Sequence, residues 1–414
     1  MKTEGNAPQG RIFTARYMLV TAVNFFIYAV YFQLMLWSTN HALDEWQSSL
    51  SVAGLASGLF IVGALGSRIP AGRYIDVVGR KGMFLAGGLA YFLIMFLYEL
   101  APDPVTFMIV RFLHGMCFGM CSTAASTIVA AILPEDRMGE GIGYYSLATT
   151  LAAAIGPFLA LSLPGKTIEY ICFGCTLLVF LGAIVIKAPE RPLTEEEKKD
   201  LKTVSLSHFF ARPSLLIASI AMLVGVSYSA VLSFLGAYAA VTGLTGYGTT
   251  LFFVFFAIAS FLSRPVSGKL LDKRGGDIVV YPSLLAVALC MILVAFAKSG
   301  VMLLAAACLL GAGYGSLTAA CHALSVHCAP VSQIGVATST YFVMLDLGVG
   351  VGPYVLGNVV DFFGFVAVYL VSAAIMAASM VYYYLTMGRP GRFEARRMAR
   401  EKEARAKEVG AAVL

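Results

Sequence analysis

Apolar runs of about twenty residues, each closed by a short polar, Gly- or Pro-containing stretch, recur from one end of this chain to the other. Twenty helical residues rise about 30 Å, the thickness of a bilayer's hydrocarbon core. The runs are continuous and lack two-residue alternation, so they read as helices and not as strands of a barrel. Twelve spans are expected, at 17–37, 49–69, 83–100, 104–132, 142–163, 167–188, 214–240, 248–268, 278–297, 300–328, 335–357 and 363–387. Residues 1–16 are polar and the first apolar run is itself long enough to span, so it does not read as a cleaved leader. The expected fold class is an all-α membrane protein.

Composition agrees. Hydrophobic residues make up 59% of the chain and charged residues 13%, more apolar than a water-facing surface tolerates. The charges set the topology, because Lys and Arg accumulate on the cytoplasmic side. With the N-terminus inside, 24 of the 29 Lys and Arg fall in inner segments. Only Lys166 and Lys298 fall outside, and Arg68, Arg111 and Arg264 lie near or within spans. Both ends are then cytoplasmic. The one long internal connection, 189–213, carries the charged PERPLTEEEKKDLK segment and divides the spans six and six. The organisation expected is a six-helix bundle at 1–188, a cytoplasmic linker at 189–213, a second six-helix bundle at 214–388 and a basic cytoplasmic tail at 389–414. The tail alternates Arg, Lys and Glu and reads as solvated, or as a short helix on the anionic inner leaflet. All eight cysteines sit in apolar stretches, the pattern of packed thiols and not of a disulfide framework.

The two halves repeat each other at a constant offset of 196 residues. Ser67-Arg68-x-x-x-Gly72-x-x-x-Asp76-x-x-Gly79 matches Ser263-Arg264-x-x-x-Gly268-x-x-x-Asp272-x-x-Gly275. Gly115, Gly119, Pro134, Gly139, Tyr145 and Gly156-Pro157 match Gly311, Gly315, Pro330, Gly335, Tyr341 and Gly352-Pro353 at the same offset. An ungapped series across four helices implies duplication, and duplicated six-helix halves place a substrate site between them near the midplane.

The segment after the second span, Gly72-Arg73-Tyr74-Ile75-Asp76-Val77-Val78-Gly79-Arg80-Lys81, resembles the cytoplasmic signature of the major facilitator superfamily, Gly-x-x-x-Asp-x-x-Gly-Arg-Lys. Nearly the whole chain shares the resemblance. It implies a loop, built on Gly72, Asp76, Gly79, Arg80 and Lys81, that latches the two halves together in the outward-open state. The second copy keeps Gly268, Asp272 and Gly275 but has Gly276-Asp277 in place of the basic pair. In the fourth span Arg111-x-x-His114-Gly115 resembles the family's Arg-x-x-Gln-Gly motif, with His for Gln. Gly156-Pro157 in the fifth span, and Gly348-x-x-x-Gly352-Pro353-x-x-x-Gly357 in the eleventh, resemble the family's antiporter Gly-Pro motif. There small residues let helices approach and proline weakens the backbone ladder.

Few polar residues lie deep in spans, and those few are the site candidates. Asp346 is the acid most clearly inside one. Desolvation favours a neutral carboxyl group and a nearby cation favours the ionised one. It is therefore a candidate proton carrier, or a counter-charge paired with Arg111 or a histidine. Arg111 and His114 are candidates for substrate contact or for tuning a proton site, or Arg111 snorkels to the outer headgroups. His322 is a further proton-coupling candidate. The first span carries no acid, unlike several drug–proton antiporters of the family, which leaves more of the coupling to Asp346. Asn24, Tyr28, Tyr31, Tyr228, Tyr238 and Tyr341 are candidate cavity residues. Cys321-His322 and His327-Cys328 have poor spacing for a metal site, so no metal is expected, nor any cofactor. The chain carries no nucleotide-binding Gly-x-x-x-x-Gly-Lys motif and is not expected to be an enzyme.

The function these features imply is a secondary transporter. It would act as a monomer in the cytoplasmic membrane, with a small molecule, protons and lipid as partners and no nucleic acid. Proton-coupled export of a small organic, amphipathic molecule by antiport leads. The glycine-rich eleventh helix also resembles a bacterial exporter subgroup that includes exporters of opine-type metallophores. Uptake of a sugar or organic anion by proton symport is a further alternative, and a non-transporting sensor or scaffold is the alternative from another class.

Overall fold

The computed structural model describes residues 11–47, 50–193, 209–244 and 246–387. The basic tail and most of the linker lie outside the described residues. The described chain is helical: α1 Ala15–Trp46, α2 Leu50–Val78, α3 Arg80–Glu99, α4 Pro104–Ile132, α5 Met138–Ser162, α6 Gly165–Val185, α7 Arg212–Thr242, α8 Phe252–Arg274, α9 Asp277–Ala295 and α10 Gly300–Cys328. The last two, α11 (334–363) and α12 (365–386), are the arms of one run, Ile334–Thr386, broken only at Gly364. Among the described residues eleven stretches are long and apolar enough to cross a membrane, and α2, of 29 residues, packs among them as the twelfth helix.

Local chemistry fixes the ends. Asp103 caps α4 by accepting from the Val105 and Thr106 amides at 2.9 and 3.1 Å, with Pro104 in the first turn. The Thr106 hydroxyl and these amides hold its carboxyl group below the usual range. Thr14 and Ser299 cap α1 and α10 in the same way. Two expected boundaries move. α1 continues to Trp46, past the end of its apolar run. The signature segment is not a loop after the second span: α2 stays helical to Val78 and breaks at Gly79, whose φ of +89° only glycine adopts without strain. Gly275, its repeat partner, has φ +84°. Arg73 and Asp76 end the apolar pattern but not the helix, which runs on to Val78.

Glycines set the packing inside each half. A Cβ at Gly115 would sit on the Phe60 carbonyl and one at Gly119 against Ala64, so α4 lies directly on the backbone of α2. The repeat reproduces this, with Gly311 and Gly315 of α10 on Phe256 and Ser260 of α8. Gly156 of α5 meets Phe32 of α1, and Gly348 and Gly352 of α11 meet Met222 and Ser229 of α7. Without a hydrophobic driving force between helices in lipid, such close contact is what holds a bundle together. Gly115→Val is therefore expected to force α2 from α4. It should cost about 1–3 kcal/mol, read as a lower melting temperature of the detergent-purified protein.

The halves meet through α2 on α11 and α5 on α8. Arg73, Arg80, Arg137, Lys269 and Lys273 make one end of the bundle its basic end.

Candidate functional site

A cavity of about 210 Å³ lies between the halves. The N-terminal half lines it with Tyr28, Tyr31, Phe60 and Phe118, and the C-terminal half with Tyr228, Tyr314, Tyr341 and Phe342, among others. The rings order one another. Tyr31 stacks on Phe118 at 5.0 Å, Tyr228 on Tyr314 at 4.2 Å and His322 on Tyr341 at 4.9 Å. An aromatic box with a few polar groups suits a ligand with an apolar body.

Its charged groups are Arg68, Arg264 and Asp346. Arg68 Nε donates to Asp346 Oδ2 at 2.9 Å, and its Nη1 donates to Thr123 at 3.3 Å. The guanidinium lies over the Phe342 and Phe118 rings, 4.6 and 5.3 Å from their centroids. Arg68 is 1% exposed and Asp346 25%, so the carboxylate is the more open member of the pair at the cavity wall. The pair joins α2 of one half to α11 of the other. The Ser339 hydroxyl ties the same helices by donating to the Arg68 carbonyl at 2.6 Å. Asp346 thus pairs with neither Arg111 nor a histidine. Arg111 lies twelve residues along α4 from Thr123, the α4 residue that meets Arg68, a rise of about 18 Å.

Arg111 and His114 fall outside the cavity altogether. Arg111 is buried inside the N-terminal half, donating to the Ala56 carbonyl at 3.1 Å and the Tyr98 hydroxyl at 3.2 Å, beneath the Phe60 ring. It does not snorkel. His114 Nδ1 lies 2.9 Å from the same Tyr98 oxygen. The expected substrate contact by either residue is not what the structure builds, because α4 turns this face toward α2 and α3. Two cavity candidates are also displaced. Tyr238 donates to the Ala295 carbonyl at 3.1 Å and packs on Tyr369, inside the C-terminal half. Asn24 is buried one layer behind the wall, where its Oδ1 accepts from Tyr145 at 2.8 Å and so orients a residue that does line the cavity. Tyr28, Tyr31, Tyr228 and Tyr341 line it, and so does the proton-coupling candidate His322.

At the basic end the second copy of the signature makes the direct connection. Both oxygens of Asp272, on α8, accept from the first amides of α5, Gly139 and Glu140, each at 2.7 Å. A carboxylate at a helix N-terminus satisfies unpaired donors and the positive end of the dipole together. A Cβ at Gly139 would lie 2.9 Å from the Gly268 carbonyl, so α5 and α8 touch through their backbones here. Lys269 sits 3.5 Å from Glu140, and Glu140 2.7 Å from Arg137. The first copy is arranged differently. Asp76 pairs with Arg80 at 2.8 Å within its own half, while Gly72 packs on Gly335 and Ser339 of α11. Glu190, just past α6, caps α3 by accepting from the Arg80 and Lys81 amides at 2.8 Å each. Glu190 falls within the charged connection at 189–213, and no local pattern marks Arg68 or Arg264 as a cavity residue. The 196-residue repeat, which aligns the two arginines, was the signal available for them.

The family model described as Major Facilitator Superfamily matches residues 17–299 and 278–411. The chain belongs to the Major Facilitator Superfamily. It is 26% identical over 346 residues to an uncharacterized MFS-type transporter of Methanocaldococcus jannaschii, covering 81% of this chain and 89% of that one. It is 28% identical over 337 residues to the multidrug resistance protein MdtG of Dickeya zeae, covering 77% and 80%. Among solved structures it matches the MFS transporter FucP in the outward conformation, with TM-score 0.72 and 20% identity over 91% of this chain and 99% of that one. That last likeness concerns the fold. As a superfamily member the protein is a multi-pass membrane transporter of small molecules and not an enzyme. In transporters built from repeated halves, substrate sites lie at the interface between the halves.

Proposed function

We propose that this transporter exports a small, amphipathic organic molecule in exchange for protons, working as a monomer in the cytoplasmic membrane with its basic end inside. The observation that carries the reading is the Arg68–Asp346 pair, which bridges the two halves at the wall of an aromatic cavity. A proton taken up by Asp346 cancels the charge that holds Arg68, and so loosens α2 from α11. One group then answers to both the proton and the state of the halves, which is what coupling requires. The cluster around Asp272 and Gly139 acts as the latch that keeps the basic end shut while the cavity receives protons from the other side. Arg68 takes the partner role expected of Arg111. Relatives named as multidrug resistance proteins support the outward direction and a drug-like substrate.

The test uses purified protein in liposomes with an imposed pH gradient and a lumenal pH dye. Lipophilic cations, amino-acid-like chelators and small carboxylates are added in turn. Proton movement that depends on one of these classes is the expected result. Movement of a radiolabelled ligand without any proton flux would refute the coupling.

A further inference from the structure

The 196-residue repeat pairs Arg68 with Arg264, both lining the cavity, and pairs Asp346 with Thr150. The first arginine therefore has a carboxylate at its pseudo-symmetric mate position, and the second has a threonine. Arg264 is 7% exposed and meets no carboxylate among the described residues. It donates Nη1 to the Ser146 carbonyl at 2.6 Å and Nε to Ser260 Oγ at 3.2 Å. The Thr150 hydroxyl donates to the same Ser146 carbonyl at 3.2 Å, so Thr150 and the guanidinium flank one oxygen. On this side the cavity holds a buried cation, and the acid that duplication would supply is missing. His322 lines the same cavity, and its buried Nε2 has no hydrogen-bond partner among the described residues.

We infer that the transported molecule carries an anionic group, a carboxylate or an acid of similar geometry, that docks beside Thr150 on Arg264, with its apolar body against the tyrosines. The inference rests on the transport reading above and names its substrate class. A buried guanidinium donates two parallel hydrogen bonds to a planar carboxylate and gains most where water is excluded. The bond that Arg264 makes to Ser146 joins α8 to α5, across the two halves. An anion that draws the guanidinium away releases that tie, so occupancy of the cavity loosens the same pair of helices that Asp272 latches below.

Two measurements on the full-length protein in detergent decide it, neither needing a pH gradient. The first compares melting temperatures of wild type, Thr150→Asp, Arg264→Gln and the double variant. A built-in acid should pair with Arg264, so Thr150→Asp is expected to melt close to wild type and far lower when Arg264→Gln is also present. Equal losses in both backgrounds, or failure of Thr150→Asp to fold, would overturn the inference. The second measures binding of 2-naphthoate, 2-naphthamide and 2-naphthylmethylammonium. Naphthoate is expected to bind about tenfold tighter than the amide, a preference lost in Thr150→Asp. Binding of none, an equal or greater affinity for the amide or the amine, or a preference that survives the variant, counts against it. A protein that prefers the acid yet moves no protons refutes only the coupling. One that couples protons to a cation refutes only the substrate class.

Discussion

Asp346→Asn is expected to abolish substrate-dependent proton flux in liposomes, a loss of about 100-fold or more, the scale on which removal of an essential proton-transfer group acts. Asparagine has nearly the size of aspartate and keeps an oxygen to accept from Arg68 Nε, now 2.9 Å from the carboxylate. It cannot take or release a proton. The bridge between α2 and α11 is then fixed in a single charge state. Outright loss of one partner from a buried ion pair costs about 3–5 kcal/mol. The retained hydrogen bond and the cavity-facing position of residue 346 reduce that, so the variant should fold, with a melting temperature lower by several degrees. Asp346→Glu, which keeps the acid on a longer arm, should recover part of the flux. Unchanged flux and pH dependence in the asparagine variant would remove Asp346 from the coupling mechanism.

Asp272→Asn is expected to open the basic end. Each Asp272 oxygen accepts one amide of the α5 N-terminus, and asparagine offers a single acceptor and no charge. Hydrogen bonds to charged groups contribute about 1.5–3 kcal/mol, and a charge at a helix end adds up to about 2 kcal/mol. A net loss near 2 kcal/mol would shift the closed-to-open ratio at this end by roughly 30-fold. Spin labels on Asp136→Cys and Lys273→Cys, exposed residues on opposite walls of the charged pocket at this end, would report it in a cysteine-free background. The expected signal is a longer-distance population that is minor without Asp272→Asn and dominant with it. A distance distribution that does not move would show that the glycine backbone contacts hold the end shut unaided. The corresponding change Asp76→Asn should move it less, because Asp76 pairs with Arg80 inside its own half.

Much of this protein was legible in one dimension. A bilayer admits only backbones that satisfy their own hydrogen bonds, so long apolar runs had to be helices. The Lys and Arg bias, the long charged connection at 189–213 and the repeat at a constant offset then pointed to two halves of six. Asp346 stood out because an acid in an apolar span is costly unless a partner or a cavity receives it. Its neighbours could not be read in that way. Helix rotation decides whether a residue such as Arg111, Tyr238 or Asn24 faces the cavity, a neighbouring helix or a layer behind. That rotation is set by which glycines meet which backbones, Gly115 on Phe60 or Gly348 on Met222.

The sequence by itself determined the helices, the duplication and the presence of one embedded acid, because these follow from solvation and local spacing. Only the tertiary structure decided that Asp346 meets Arg68, that Asp272 and not Asp76 reaches across to the other half, and that Arg264 lacks the carboxylate its repeat partner has. Each of these depends on how residues more than a hundred positions apart along the chain are brought together between two packed bundles. No local pattern encodes those distances.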